Sequence, residues 1–264
     1  MSDQFTDRTN PSLSILVVDD DELNQRMMQL ILKREGHQVE CVSNGLEAVD
    51  AVKTRTFDMI LMDLQMPVMD GVEASRRIRE WENGRGRTFI VALTASYLPE
   101  RGRELYEAGI DNYISKPFEI GHLRHILKYG LESHRARNVP GNNTSSNTKP
   151  PAGASFDPQL GIKRVGGDTE TYKELLNDFI QGLPEKLETM WSCFRKNDVA
   201  GLYRVAHNLK GVSANLGALQ LSEHARRLEK QISESYTETL EGALKDVSTT
   251  SDTLKVIAFN FLAS

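Results

Sequence analysis

The chain has 264 residues, of which 26% are charged and 39% hydrophobic, and its formal net charge is −5. This length allows two ordinary domains, and the acidic balance argues against a general nucleic-acid binder. Cys41 and Cys193 lie far apart in sequence, so we expect no disulfide framework or zinc site and infer a reducing, cytoplasmic compartment. No apolar run approaches the ~20 residues that a bilayer span requires, so we expect no membrane segment.

Strand-like and helical stretches alternate in the first half of the chain. Short apolar runs occur at 13–18, 38–42, 57–62, 88–93 and 111–115, and the stretches between them, such as 23–36, have helical spacing. Continuous apolar strands separated by helices indicate a parallel sheet that is covered on both faces. Five such units predict a flavodoxin-like α/β fold with strand order 2-1-3-4-5, in which ligands bind beyond the carboxyl ends of the strands.

The composition changes abruptly between residues 135 and 155. Of these 21 residues, 17 are Gly, Pro, Ser, Thr, Asn or Ala, which predicts a flexible linker because such a segment buries little apolar surface. We therefore divide the chain into a tail at 1–12, a first domain at 13–134, the linker at 135–155 and a second domain at 156–264. Helical spacing at about 168–181, 183–196, 198–215, 218–233 and 238–262 predicts an all-α antiparallel bundle in the second domain.

Polar residues follow four of the five predicted strands. Asp19 and Asp20 end the first strand, Asp63 ends the third, Thr94 ends the fourth, and Lys116 follows the fifth. Parallel strands bring their carboxyl ends to one edge of the sheet, so we expect these side chains to converge. Three nearby carboxylates repel one another unless a cation is present, and oxygen ligands favour Mg²⁺. Such a site suits phosphoryl transfer, with Asp63 as the nucleophile and with Lys116 and Thr94 contacting the phosphoryl oxygens.

The segments "ILVVDDDELN", "DMILMDLQMPVMDG", "VALTA" and "YISKPF" resemble, in order and spacing, the motifs of response-regulator receiver domains. The resemblance covers roughly residues 13–130. It implies that Asp63 accepts the phosphoryl group. It also implies that Asp20, Asp63 and the Gln65 carbonyl ligate Mg²⁺ directly, whereas Asp19 does so through water.

Further positions follow from the same resemblance. Thr94 and Tyr113 correspond to the pair of residues that switches conformation on phosphorylation, and the Lys116–Pro117 bond is expected to be cis. Asp21 departs from the asparagine that often occupies its position, which leaves the phosphorylation chemistry intact but adds negative charge.

His207 lies in the predicted helix 198–215. At about 100° per residue, a stripe of apolar and small residues faces the bundle core and His207 lies roughly 130° away from it, so we predict that His207 faces solvent. Lys210 lies one turn further on. Gly211 leaves space beside the ring, although a glycine at this position lowers the stability of the helix by ~1 kcal/mol relative to alanine. An accessible imidazole with a nearby ammonium is suited to carry a phosphoryl group.

The string "HNLKGVSANLGA", preceded by "FDPQLGIKRVGGDTETYKELLNDFI", resembles histidine phosphotransfer (HPt) domains over residues 155–264. Those domains are helical bundles that pass phosphoryl groups between receivers without using ATP. The resemblance implies that His207 is the phosphorylated histidine, with Lys210 and Gly211 as its neighbours. A receiver followed by an HPt domain also resembles the carboxyl-terminal part of hybrid sensor histidine kinases. One expectation from this resemblance is that the chain is a fragment of such a kinase.

We therefore expect a two-component phosphorelay protein whose partners are a sensor histidine kinase, another receiver domain, or both. No glycine motif for nucleotide binding is present, so we expect the phosphoryl group to come from a kinase or from a small acyl phosphate. The receiver would catalyse its own phosphorylation and dephosphorylation, which makes "enzyme" only a marginal description. Two alternatives remain open. One is a DNA-binding regulator that uses a helix-turn-helix at "NLGA", although residues 155–264 carry 13 basic and 15 acidic residues. The other is a kinase-docking module whose helical domain carries no phosphate.

Overall fold

The structure is a computed structural model that describes residues 12–84, 86–94, 99–117, 120–130, 155–234 and 239–263. Residues 1–11 of the predicted tail and residues 135–154 of the predicted linker lie outside these ranges, as do Ala95 at the end of the segment "VALTA" and Phe118 at the end of the segment "YISKPF".

The first domain is a five-stranded parallel sheet. Its strands are β1 (Ser14–Val18), β2 (Gln38–Val42), β3 (Met59–Asp63), β4 (Phe89–Thr94) and β5 (Asn112–Ser115), in the order β2-β1-β3-β4-β5. All four neighbouring pairs are parallel. The predicted flavodoxin-like fold and strand order are therefore confirmed.

Helices cover both faces of the sheet. They are α1 (Glu22–Arg34), α2 (Gly45–Thr54), α3 (Gly71–Glu82), α4 (Pro99–Glu107) and α5 (Ile120–His125), which continues as a π-helical turn at Ile126–Gly130. Alternate strand residues point to opposite faces. Leu16, Ile60 and Ile90 therefore belong to one apolar cluster, whereas Ile15, Met59 and Val91 belong to another.

The second domain is all-helical. It contains α6 (Pro158–Arg164), α7 (Thr169–Arg195), α8 (Val199–Asn215), α9 (Leu219–Ser233) and α10 (Leu240–Leu262). The apolar cluster on the α1 and α5 side of the sheet continues into this bundle, so buried Met27 of α1 and buried Leu176 of α7 belong to the same cluster. The two domains are in contact along α1.

The sequence prediction of two helices at 168–181 and 183–196 is wrong, because α7 runs unbroken through Gly182 and Pro184. Proline removes a helical hydrogen bond and usually ends or kinks a helix. Here Phe179, Leu183 and Met190 are fully buried in the bundle, so tertiary packing outweighs the local preference. The short helix α6 was not predicted from the sequence.

None of the helices in the described ranges has both the length and the apolar character of a membrane span.

Two glycines of the bundle should respond to alanine in opposite directions. A Cβ at Gly182 meets no atom within 4 Å, so Gly182→Ala should raise the free energy of unfolding by ~1 kcal/mol. Gly217 has φ of +76°, and a Cβ there collides with the Asp157 carbonyl, so Gly217→Ala should lower it by at least ~1 kcal/mol. Urea unfolding followed by circular dichroism measures both changes. Equal effects of the two substitutions would contradict the backbone geometry described here.

Candidate functional site

Three carboxylates meet at the carboxyl edge of the sheet. Asp19 and Asp20 follow β1, Asp63 is the last residue of β3, and one oxygen from each lies within 4.8 Å of the others. Asp19 and Asp63 are each 1% exposed, and Asp20 is partly buried. Buried like charges at this spacing require a cation, and an all-oxygen donor set suits Mg²⁺.

Lys116 supplies a positive charge within the carboxylate cluster. It follows β5, and its Nζ lies 2.8 Å from Asp19 Oδ2 and 2.6 Å from Asp63 Oδ2. Its backbone N–H donates to the Thr94 carbonyl at 2.6 Å, and the Lys116–Pro117 bond is cis as expected. The adjacent ends of β4 and β5 therefore direct this ammonium toward the carboxylates.

Burial has the largest effect on the pKa values of Asp19 and Asp20, and neighbouring charges have the next largest. Burial raises the pKa of Asp19 to about 7, with Lys116 acting against the rise and Asp63 adding to it. Burial, followed by the Asp63 charge, also raises the pKa of Asp20. Burial alone would disfavour the Lys116 ammonium, but Asp19 and Asp63 raise its pKa above the usual range. With all three carboxylates ionised, the cluster carries more negative charge than Lys116 alone can balance.

The remaining receiver positions named from the sequence lie around this cluster. Thr94 ends β4 and is 8% exposed. The Gln65 backbone N–H donates to Asp63 Oδ1 at 3.1 Å, so the loop that carries its carbonyl is held against Asp63. Tyr113 lies in β5 opposite Ala92 of β4 and packs, partly buried, against the apolar cluster on the α2–α4 side of the sheet.

His207 is buried, so the prediction that it faces solvent is wrong. Its side chain is 8% exposed, and its Nδ1 lies 2.6 Å from Glu229 Oε1 of α9. The Tyr203 ring stacks on the imidazole with 6.1 Å between ring centroids and 21° between the planes. The prediction considered only the helix that carries His207, whereas Glu229 reaches the ring from α9.

Glu229 is a site residue that the sequence analysis missed. Its second oxygen, Oε2, accepts a hydrogen bond from Lys210 Nζ at 2.6 Å. Burial opposes the charged form of Glu229, yet the hydrogen bonds from His207 and Lys210 lower its pKa to about 2. Glu229 is 22 residues from His207 on another helix, so no spacing within one helix could have identified it.

The ionised Glu229 carboxylate determines which imidazole nitrogen carries the proton. A carboxylate can only accept a hydrogen bond, so Nδ1 of a neutral His207 must donate to it. The other nitrogen, Nε2, then has a free lone pair. Because Glu229 also accepts from Lys210, it holds the ring and the ammonium side by side.

The two predicted sites border one cavity of about 530 Å³. Asp63, Thr94 and Lys116 contribute from the sheet edge, and His207 and Lys210 contribute from α8; the other lining residues include Gln65, Pro117, Tyr203, Gly211, Ala214, Arg226, Glu229 and Lys230. A Cβ at Gly211 would meet no atom within 4 Å, so the space predicted beside the histidine is present. The lining includes four basic and three acidic side chains, the third acidic one being Glu234, and it takes the Asp63 carboxylate from one domain and the His207 imidazole from the other.

Family comparisons match the two halves of the chain separately. Residues 15–128 match the family model of the response regulator receiver domain, and residues 174–253 match that of the Hpt domain. Both matches lie within the two domains described above.

Curated relatives contain both halves in the same order. The chain is 29% identical to sensor protein GacS of Pseudomonas syringae pv. syringae, in an alignment that covers 88% of this chain. It is 28% identical to the signal transduction histidine-protein kinase BarA of Shigella flexneri, in an alignment that covers 92% of this chain. It spans about a quarter of either relative, 26% in both cases. Among solved structures, the receiver domain of a Pseudomonas aeruginosa sensor histidine kinase, crystallised with a magnesium ion, is 38% identical, with a TM-score of 0.43. The match covers 46% of this chain and 99% of that one.

The Glu229 contacts predict a pH-dependent stability. Since its pKa in the folded state, about 2, is below the ordinary value of 4.5, ionised Glu229 stabilises the fold above pH ~4.5, and this contribution disappears as the pH falls toward 2. Glu229→Gln should therefore be less stable than the wild type at pH 7, with a difference that shrinks between pH 4.5 and 2.

Urea unfolding at several pH values measures this difference. Glu185→Gln, at an exposed position of α7, serves as the control and should differ little from the wild type throughout. A deficit of Glu229→Gln that stays constant down to pH 2 would contradict the assigned contacts.

Proposed function

Because this chain belongs to the two-component phosphorelay proteins, with a receiver domain at 15–128 and an Hpt domain at 174–253, we propose that Asp63 and His207 exchange a phosphoryl group. The observation that carries this proposal is the single cavity bordered by both residues. Lys116 borders it from the receiver domain and Lys210 borders it from the Hpt domain, so each domain contributes an ammonium group that can balance the negative charge of a phosphoryl group.

The oxygen donors at the sheet edge fit a resident Mg²⁺. One oxygen of each of the three carboxylates lies within 4.8 Å of the others, beside the single ammonium group of Lys116, and such an all-oxygen donor set suits a divalent cation. In this proposal Asp20, Asp63 and the Gln65 carbonyl hold the ion directly, and Asp19 holds it through water. When bound, Mg²⁺ neutralises charge on the phosphoryl oxygens.

Phosphorylation of the receiver begins with a carboxylate oxygen of Asp63. This oxygen attacks the phosphorus of the donor, and the bond between phosphorus and the donor's leaving atom breaks. Lys116, which already lies 2.6 Å from Asp63 Oδ2, contacts a phosphoryl oxygen, and the Thr94 hydroxyl donates to another. Catalysis by these residues consists of positioning and charge neutralisation.

Transfer to the helical domain uses Nε2 of His207. The Nε2 lone pair attacks the phosphorus, the bond between phosphorus and Asp63 breaks, and the electron pair returns to the carboxylate. The Nδ1 proton stays on the ring, hydrogen-bonded to Glu229, so no proton has to be transferred. Lys210 balances charge on the phosphoryl group, and the open side of Gly211 admits it.

The receiver would also respond to its own phosphorylation. We assign Thr94 and Tyr113 to a switch in which contact between Thr94 and the phosphoryl group shifts a population between two conformations. The partly buried position of Tyr113 on the neighbouring strand supports this assignment.

The proposed partners are a sensor histidine kinase, a further receiver domain, or both, within or beside a larger hybrid kinase. The two free cysteines support a reducing, cytoplasmic setting.

The turn that could have formed a helix-turn-helix is packed inside the bundle, where Leu216 and Ala218 are 1% and 0% exposed. This burial argues against the DNA-binding alternative.

Mapping of phosphorylated residues tests the proposal. With a small acyl phosphate and Mg²⁺, the wild type should form a hydroxylamine-labile phosphate on Asp63 and an acid-labile phosphate on His207. Asp63→Asn should form neither, and His207→Ala should form only the first. His224→Ala is the control, since His224 also has a hydrogen-bonded Nδ1, 2.7 Å from Thr250 Oγ1, but does not line the cavity. Phosphohistidine that persists in Asp63→Asn would contradict the proposed route.

A further inference from the structure

Helix α1 of the receiver lies against α7 of the Hpt domain with a series of charged contacts. Arg34 pairs with Asp168 at 2.9 Å, Arg26 pairs with Asp178, and Asp21, immediately before α1, pairs with Lys186. As the residue number rises along α1 it falls along α7. The contacts therefore define one antiparallel register between the domains.

The pair between Asp21 and Lys186 differs from the other two in burial. The arginine side chains are 49% and 52% exposed, whereas the Asp21 side chain is 2% exposed and that of Lys186 is 29% exposed. Exposed ion pairs contribute little, ~0–1 kcal/mol. Removing one partner of a buried pair leaves an uncompensated charge and costs much more. Of the three ion pairs, the one between Asp21 and Lys186 should therefore contribute most to discrimination between one receiver and another.

The two oxygens of Asp21 have separate partners. Oδ1 caps α1 by accepting from the backbone N–H groups of Leu23 at 3.0 Å and Asn24 at 3.2 Å. Oδ2 accepts from the Lys186 ammonium. An asparagine could keep the cap through its carbonyl oxygen, but its amide nitrogen would then face Lys186 and offer no acceptor.

The contact lies beside the transfer site. Asn208, the residue after His207, donates from Nδ2 to Asp20 Oδ1 at 3.3 Å, and Asp20 precedes Asp21. The pair at Asp21 and the bond at Asp20 therefore connect the acidic edge of the sheet to the helix turn that carries His207. A shift in this register would move His207 relative to Asp63.

We propose that Lys186 is the residue by which this Hpt domain recognises its own receiver, through the second carboxylate oxygen of Asp21. The domain then disfavours receivers that have asparagine at that position. This inference rests on the proposed exchange between Asp63 and His207, since it names the partner for that exchange.

The first test measures transfer from phosphorylated Asp63 to His207 in the full chain. Lys186→Glu places two carboxylates together and should slow transfer by roughly tenfold or more. Asp21→Asn, which keeps the helix cap, should also slow it. The double variant with both substitutions should recover to within about threefold of the wild type, because the asparagine amide can donate to the new carboxylate. Lys245→Glu, on α10 in an exposed pair with Glu241, is the matched control and should leave the rate unchanged.

A second test measures docking without phosphate. Backbone ¹⁵N relaxation of the full chain should show both domains of the wild type tumbling as one body. Lys186→Glu should tumble as two faster bodies, and the double variant should return to one.

The two tests separate this inference from the proposed function. If docking follows the predicted pattern but wild-type chain forms no phosphohistidine, the recognition pair stands and the proposed exchange fails. If Lys186→Glu matches the wild type in tumbling, or the double variant is no better than Lys186→Glu alone, the recognition pair is wrong even where the exchange occurs.

Discussion

Excess negative charge at the carboxyl edge of the receiver sheet is the constraint on which the rest of the structure depends. Parallel strand order brings Asp19, Asp20 and Asp63 together, and burial raises the cost of keeping them ionised. Within the receiver, Lys116 provides part of the compensation. The Hpt domain provides more, because Lys186 pairs with Asp21 at the same edge and Asn208 donates to Asp20. In our proposal, charge complementarity thus both forms the phosphorylation site and attracts the domain that would accept its product.

In our proposal the helical domain meets a different requirement, since the buried His207 has to remain nucleophilic. Glu229 satisfies it by holding Nδ1, which leaves the lone pair of Nε2 available, and by restraining Lys210 next to the ring. The Tyr203 ring stacks on the imidazole and the Glu229 carboxylate holds its Nδ1, so two neighbours fix the orientation of the ring. In our account the contacts that bury His207 also orient its ring.

The sequence predicts the residues whose positions follow from topology. Asp63 and Lys116 could be placed together from 53 residues apart, since any doubly wound sheet brings their strand ends to one edge. Residues whose roles depend on packing between helices could not be found in this way. Glu229 contacts His207 only because α9 packs on α8, and Lys186 contacts Asp21 only because the domains dock in one register. The unbroken α7 is a similar case, since burial of Leu183 outweighs the local effect of Pro184.

The central claim is that the phosphoryl group moves between Asp63 and His207 of the same molecule. The predicted linker at 135–155 is long enough to allow it and would give a local concentration approaching the millimolar range. The direct measurement is to phosphorylate Asp63, dilute the protein tenfold from micromolar concentration, and follow the formation of phosphohistidine. Our account predicts a rate constant that does not change on dilution. An observed rate constant that falls in proportion to protein concentration would contradict it, because each His207 would then receive its phosphoryl group from another molecule.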